Sequence, residues 1–347
     1  MRKAFVFAVV FSVVSWVGNP SAHAEIDRQD FQVSSEPDID LFVRKVANAD
    51  NDAGTPILLV HGARVGSLAS FDVDVPGYSL TQSLADAGFT IYLADVRGYG
   101  RSTLPPSMSG DRFQGPPAVP TEIAAKDLLA VISEIRRRHP GDPLAAMGWA
   151  TGSHWLAATE AIQPGSIDRL VFYNSVYGGE GPWRLTEVFA KEGAPSEFNY
   201  EKFGAYRTSD AKSLVGRWTQ SEAISEAFIN RYVEMAMEGD PTVSDRTPPS
   251  FRHPSGPIED TLQAVHVGPL YDAALIRSDV LIVRSGKDFW SRPVDVERFQ
   301  QDLTKARSVT IRKLVDASHY VHLEPGEGRD ELLELVTDFI ADGVLAN

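Results

Sequence analysis

Four short stretches of this chain hold residue types able to do covalent chemistry. The first is Gly148-Trp149-Ala150-Thr151-Gly152. Glycines at both ends permit a sharp strand-to-helix turn, which lifts the central side chain into a site at a helix N-terminus. That central residue is Ala150, a methyl with no nucleophilic atom. The second is Gly286-Lys287-Asp288, where a carboxylate can orient an imidazole; an ordinary turn aspartate is the competing interpretation. The third runs from Asp316 to Glu324 and holds His319, a candidate base. The fourth is His61-Gly62-Ala63-Arg64. Acyl transfer needs two backbone N–H donors facing a developing oxyanion. Thr151 can supply one and Ala63 the other, while His61 suits a structural hydrogen bond. Arg64 can meet a substrate carboxylate or make a surface salt bridge with Asp72 or Asp74. Neighbouring hydroxyls do not replace the missing one: Thr151 turns its backbone to the site, and Ser153 lies deeper on the first helical turn.

These stretches must be carried by elements that end near one another. Pro56–Val60 is a short continuous apolar run, as in a strand buried on both faces. Thr90–Asp95, Pro143–Gly148, Ile167–Tyr173, Val280–Arg284 and Ser308–Leu314 read as further strands. Tyr78–Gly88, Thr121–His139, Gly152–Ile162, Val294–Lys305 and Arg329–Ala341 read as helices, with Thr121 as an N-cap and Arg136 to Arg138 at the negative end of the dipole. Asp30–Ser35 and Asp38–Lys45 form an antiparallel pair at the start. Leu104 to Pro120, with five prolines, is an excursion. The alternation predicts an α/β fold with a mostly parallel central sheet and helices on both faces. From about Gly178 to His266 no convincing strand is visible. Trp183–Lys191, Ser213–Gln220 and Ser225–Met237 read as helical pieces of a cap. The expected division is a leader over residues 1–24, core over 25–179, helical cap over 180–265, and core again over 266–347. In an open α/β sheet, ligands bind beyond the carboxyl ends of the strands, where all four chemical stretches fall.

The 347 residues include no cysteine, and the formal charge is −14. Acidic balance argues against nucleic acid as a partner. No His/Asp/Glu cluster has metal-ligand spacing and no glycine-rich nucleotide loop stands out, so neither metal nor cofactor is expected. Arg2 and Lys3, the apolar run Ala4–Val17, and Ala22-His23-Ala24 have the form of a secretory signal peptide cleaved after Ala24. A periplasmic or secreted product with no membrane span in its mature part is the expectation; the oligomeric state is open.

Leu58-Leu59-Val60-His61-Gly62, Asp95-Val96-Arg97-Gly98-Tyr99-Gly100-Arg101-Ser102, the Gly148–Gly152 elbow, Gly286-Lys287-Asp288 and Ser318-His319 stand in a characteristic order. In that combination the chain resembles the α/β-hydrolase superfamily over about 300 residues. The resemblance implies a serine-type hydrolase of carboxylic esters or lactones, with Asp288 as triad acid and His319 as base. It gives Asp95 and Arg97 a structural turn. Relatives usually carry serine at the position of Ala150, aspartate in epoxide hydrolases and dehalogenases, and cysteine in a few. The chain with Ala150 is therefore predicted to be inactive as a covalent hydrolase. Three origins compete: a Ser-to-Ala knockout, a natural non-catalytic binding protein, and a cofactor-free lyase or oxygenase using only the His–Asp dyad. Arg64, Trp149, Tyr177 and Trp183 are the candidate substrate contacts, although Trp149 also suits packing under the sheet. The many aromatics of the cap favour an apolar or aromatic small-molecule substrate. Glu180 is the alternative acid.

Overall fold

A computed structural model describes residues 25–49, 54–216, 218 and 224–343. The expected leader lies outside them. Among the described residues twelve strands form: β1 (Ile26–Glu36), β2 (Ile39–Asn48), β3 (Pro56–Val60), β4 (Thr90–Ala94), β5 (Ala145–Trp149), β6 (Arg169–Tyr173), β7 (Ala190–Lys191), β8 (Ala194–Phe198), β9 (Tyr206–Asp210), β10 (Ser250–Pro254), β11 (Asp279–Ser285) and β12 (Ser308–Leu314). The helices are α1 (Ser67–Phe71), α2 (Leu80–Asp86), α3 (Thr121–Arg138), α4 (Thr151–Ile162), α5 (Thr186–Phe189), α6 (Tyr200–Phe203), α7 (Ala211–Val215), α8 (Glu226–Glu238), α9 (Gly256–His266), α10 (Pro293–Asp302) and α11 (Glu327–Asp342).

Eight strands make one sheet in the order β1-β2-β4-β3-β5-β6-β11-β12. β2 runs antiparallel to both of its neighbours, and the remaining pairs are parallel. Alternate side chains of the same strands feed two cores. Leu59, Leu93, Met147, Val171 and Val283 pack with α2 and α11 on one face. Leu58, Tyr92, Ala146, Phe172 and Ile282 pack with α3, α4 and α10 on the other. Burial on both faces explains why these strands read as unbroken apolar runs.

The first turn of α3 departs from expectation. Pro120, not Thr121, is the N-cap. The Thr121 N–H donates instead to the Asp260 carboxylate on α9 at 2.5 Å. An acceptor from a distant helix thus fills the role assigned to the threonine hydroxyl.

The larger departure is the insertion between β6 and β11, two strands that are neighbours in the sheet. The segment is not purely helical: β7 pairs with β8, and β9 with β10, in two antiparallel ribbons. β9 and β10 escape a hydrophobic pattern because most of their buried residues are polar. Arg252, 8% exposed in β10, is held by Asp240 through N–H donors at 2.8 and 2.9 Å. The helix expected over Trp183–Lys191 shrinks to α5. That expected over Ser213–Gln220 becomes α7, and positions 217, 219 and 220 lie outside the described residues. Among the described residues no helix is long and apolar enough to cross a membrane.

Candidate active site

Gly148 and Gly152 are required by close approach. A Cβ on Gly148 would lie 2.1 Å from the Ser153 nitrogen, and one on Gly152 2.2 Å from the Val60 carbonyl oxygen. This contact lets β5 pass into α4 through a single residue. That residue, Ala150, sits at φ 52° and ψ −117°, a conformation that costs a residue with a Cβ about 1–3 kcal/mol. Hydrogen bonds hold the turn. The Ala150 N–H donates to the Tyr173 carbonyl at 3.0 Å. The Ser153 hydroxyl donates to the Gly148 carbonyl at 2.5 Å and accepts the Tyr173 N–H at 2.8 Å. Ser153 is fully buried and engaged beneath the elbow, so it cannot stand in for a nucleophile.

The acid and base come from adjacent parallel strands, β11 and β12, whose following loops leave the sheet side by side. His319 Nδ1 and Asp288 Oδ1 are 2.6 Å apart. Since a carboxylate only accepts, Nδ1 carries the proton and Nε2 is left as the basic atom. Asp288 also accepts the Trp290 N–H at 2.9 Å, the Ser291 N–H at 3.0 Å and the Ser291 hydroxyl. Burial alone would push this carboxyl up. The charge and hydrogen bond of His319, with the Ser291 and Trp290 donors, outweigh that and hold it below the usual aspartate value. His319 is fixed by its own backbone, whose carbonyl accepts the Trp149 indole N–H at 3.1 Å. The rings of Trp149, Phe289 and Tyr320 lie 5.2, 4.7 and 4.9 Å from the imidazole.

The loop after β3 completes the constellation. His61 Nε2 accepts the Val96 N–H at 3.2 Å, so its Nδ1–H donates to the Gly62 carbonyl at 2.7 Å. Burial pushes this imidazole down, keeping it neutral and structural. Gly62 lies against the elbow: a Cβ there would be 3.7 Å from the Ala150 methyl. Thr151 opens α4, so its N–H has no intrahelical acceptor. The chain passes from β3 to β4 on one side and then crosses to β5 on the other. The carboxyl ends of β3 and β5 therefore flank the point where strand order reverses, the place where such sheets bind ligands. Asp95 and Arg97 stay structural. Asp95 accepts from the Ser67 N–H and hydroxyl at 2.5 and 2.7 Å, and Arg97 pairs with Asp127 and Glu36.

A cavity of about 520 Å³ opens above these groups, bordered by Ala63, Trp149, Ala150, Thr151 and His319 from the sheet side. Leu185, Phe189, Phe203 and Tyr232 close it from the insertion. Of the four expected substrate contacts, Arg64 and Trp149 line the cavity, whereas Tyr177 and Trp183 do not. Tyr177 is drawn to the opposite face, where its hydroxyl donates to Asp302 at 2.9 Å and its ring packs on Phe299. Trp183 stands behind the wall, donating its indole N–H to the Trp290 carbonyl at 2.9 Å. Of the two alternatives for Arg64, the salt bridge with Asp72 or Asp74 does not form; Arg64 bonds to Ser209 and Ser213 at 2.9 to 3.0 Å. Asp72 pairs with Arg28 and Arg44, and Asp74 with Arg231. Glu180 is exposed and absent from the cavity wall.

Sequence inspection missed Ser291, Phe289, Trp290 and Tyr320 around the dyad. Asp288 and Ser291, three apart, form an Asx-type turn whose spacing was a usable signal. It also missed Arg112, Lys202, Arg207 and His253 in the wall. Among the described residues no group of three His, Asp or Glu gathers that could hold a metal ion.

Residues 57–331 match the profile of the Alpha/beta hydrolase family. The chain belongs to that family. A human protein, lipase member M, is 24% identical over 147 residues. That stretch covers 42% of this chain and only 34% of the lipase, so the chain spans about a third of the curated relative it matches. Solved alpha/beta hydrolases share the fold more fully. A thioesterase domain from the curacin biosynthetic pathway superposes with a TM-score of 0.57 at 14% identity, covering 91% of this chain and 99% of that one. A meta-cleavage product hydrolase from Pseudomonas fluorescens IP01 gives 0.57 at 13% identity, over 90% and 98%. A serine hydrolase from the polyaromatic-hydrocarbon-degrading Cycloclasticus zankles gives 0.57 at 14%, over 93% and 100%.

Proposed function

We propose that this alpha/beta hydrolase is built to cleave carboxylic esters or lactones through a nucleophile–His–Asp triad, and that with Ala150 it binds such a substrate without turning it over. The observation that carries this function is the His319–Asp288 hydrogen bond of 2.6 Å facing a cavity shared with Ala150. Base, acid and elbow are kept, and only the hydroxyl is missing. With serine at position 150, its oxygen attacks the carbonyl carbon and His319 Nε2 takes the proton. The N–H groups of Ala63 and Thr151 receive the oxyanion. His319 then protonates the leaving alkoxide, and a water molecule attacks the acyl-enzyme by the same route. Asp288 holds the imidazole tautomer and stabilises the imidazolium. Without the nucleophile, any residual rate comes from oxyanion stabilisation and binding alone.

The aromatic and aliphatic walls favour an apolar or aromatic acyl or alcohol group. The leader expected over residues 1–24 places the mature chain in the periplasm or outside the cell. A second function, a natural binding protein on the same scaffold, is favoured by Ala150 itself. The test compares the chain with Ala150→Ser on short aryl esters and with a fluorophosphonate label. Turnover and labelling only in the serine form support the hydrolase. Neither in either form supports the binding protein. Turnover by the alanine form that vanishes in His319→Ala supports dyad chemistry instead.

A further inference from the structure

The chain carries a formal charge of −14, yet the cavity wall has the opposite sign. Arg64, Arg112, Lys202 and Arg207 line it, and none of the described lining residues is aspartate or glutamate. Arg207 is half-buried among them. It projects from β9 directly opposite His253 on β10. One of its terminal nitrogens donates to the Ala63 and Pro254 carbonyls at 3.2 and 3.1 Å. Its Nε is cut off from solvent and has no hydrogen-bond partner. Burial, with Arg64 nearby, pushes the guanidinium down to about 10.

The neighbouring imidazole adds to the imbalance. Ser209 Oγ accepts from Arg64 at 3.0 Å and is hydrogen-bonded to His253 Nε2 at 2.9 Å. The other ring nitrogen of His253, Nδ1, is buried and without a hydrogen-bond partner. The imidazole is 2% exposed, and burial with Arg207 and Arg64 keeps it neutral. The wall thus combines positive charge with the unpartnered Arg207 Nε, and no aspartate or glutamate stands among the described residues that line it; an unpaired buried donor costs free energy. A carboxylate held in the cavity would supply the missing counter-charge, close to the Ala63 loop where the oxyanion forms.

We infer that the site takes an acidic substrate, an ester or lactone that also bears a carboxylate, with Arg207 as the principal anchor and Arg64 and His253 beside it. The inference rests on the ester-hydrolase function proposed above and names the substrate class of that site. The alanine at position 150 makes a direct binding measurement possible, because ligand is not consumed. Monophenyl glutarate and its neutral carboxamide counterpart are titrated calorimetrically into the full chain. The acid is expected to bind at least about tenfold tighter, an advantage that shrinks with added salt. Arg207→Gln removes the advantage and Arg207→Lys restores part of it. Equal affinity, a preference for the amide, binding of neither probe, or a preference unchanged in a folded Arg207→Gln protein overturns the inference. If Arg207→Gln does not fold, the comparison of the two probes on the unaltered chain, with its salt dependence, decides. Hydrolysis of neutral aryl esters by Ala150→Ser, with no acid preference in the parent, would leave the hydrolase standing without its acidic substrate. Acid-selective binding with an inert Ala150→Ser protein would do the reverse.

Discussion

The carboxyl edge of the sheet and the insertion between β6 and β11 line one cavity with different chemistry. On the sheet side the working groups are bonded to each other. Asp288 receives four hydrogen bonds, and His61 uses both ring nitrogens on backbone partners. On the insertion side, Arg207 and His253 each keep a buried nitrogen without a partner. A carboxylate and an imidazole held by such bonds keep their geometry with or without ligand, as catalysis by preorganised groups requires. An incompletely bonded wall is completed by what binds. On the function proposed above, the contrast assigns reaction to the sheet edge and recognition to the insertion.

The largest test of that division is Ala150→Ser. It should raise kcat on a bound aryl ester by about 10⁶-fold, since loss of such a serine costs about that much. Initial rates and fluorophosphonate labelling check it, and no gain would mean that the sheet edge is not a hydrolytic site. Next is Asp288→Asn in the restored protein. Steady-state kinetics should show kcat lowered by about 10⁴-fold with KM little changed, because the imidazole loses its tautomer and its counter-charge. Insertion variants should instead move KM.

Smaller effects concern stability. Trp183 is 3% exposed and ties the insertion to the Asp288 loop through Trp290. Trp183→Ala should cost about 3–5 kcal/mol in denaturant unfolding. A loss below 1 kcal/mol would show that the two regions are joined elsewhere. The smallest effect per group is the pH response of four buried imidazoles. His61, His154, His253 and His322 are all pushed below 6.5, in each case chiefly by burial, His154 to about 4. The folded chain then binds fewer protons than the unfolded one as pH falls below about 6.5. Stability is present above that pH and lost below it, by up to about 1.4 kcal/mol per pH unit for each imidazole. Unfolding midpoints at pH 7.5, 6.5 and 5.5 measure the slope. His253→Gln should lessen it by one imidazole's share, and an unchanged slope would remove the insertion from the effect.

Much of the sheet edge was legible because its signals are local. The boundaries expected for Pro56–Val60 and Ser308–Leu314 coincide with β3 and β12; β3, buried on both faces, writes itself as unbroken apolar sequence. Gly148 and Gly152 announced the elbow for a steric reason that no other residue satisfies. The insertion resisted for the converse reason. β9 and β10 bury Arg252, His253 and Ser209, and buried polar residues leave no apolar periodicity to read. Tyr177 and Trp183 look alike in sequence, as aromatics near the site. Asp302 draws one to the far face and Trp290 holds the other behind the wall.

The order of residues along the chain determined the fold family, the elbow with its alanine, and the candidates proposed as acid and base. Backbone sterics and apolar burial act over a few neighbours, so a linear string can record them. Packing alone decided that Asp288 meets His319, that Asp260 caps α3 in place of Thr121, and that Arg207 and His253 stand side by side in the cavity wall. Those are relations between segments tens of residues apart or more, and a side chain's partner is chosen only once the folded chain has set which groups lie within a bond's length.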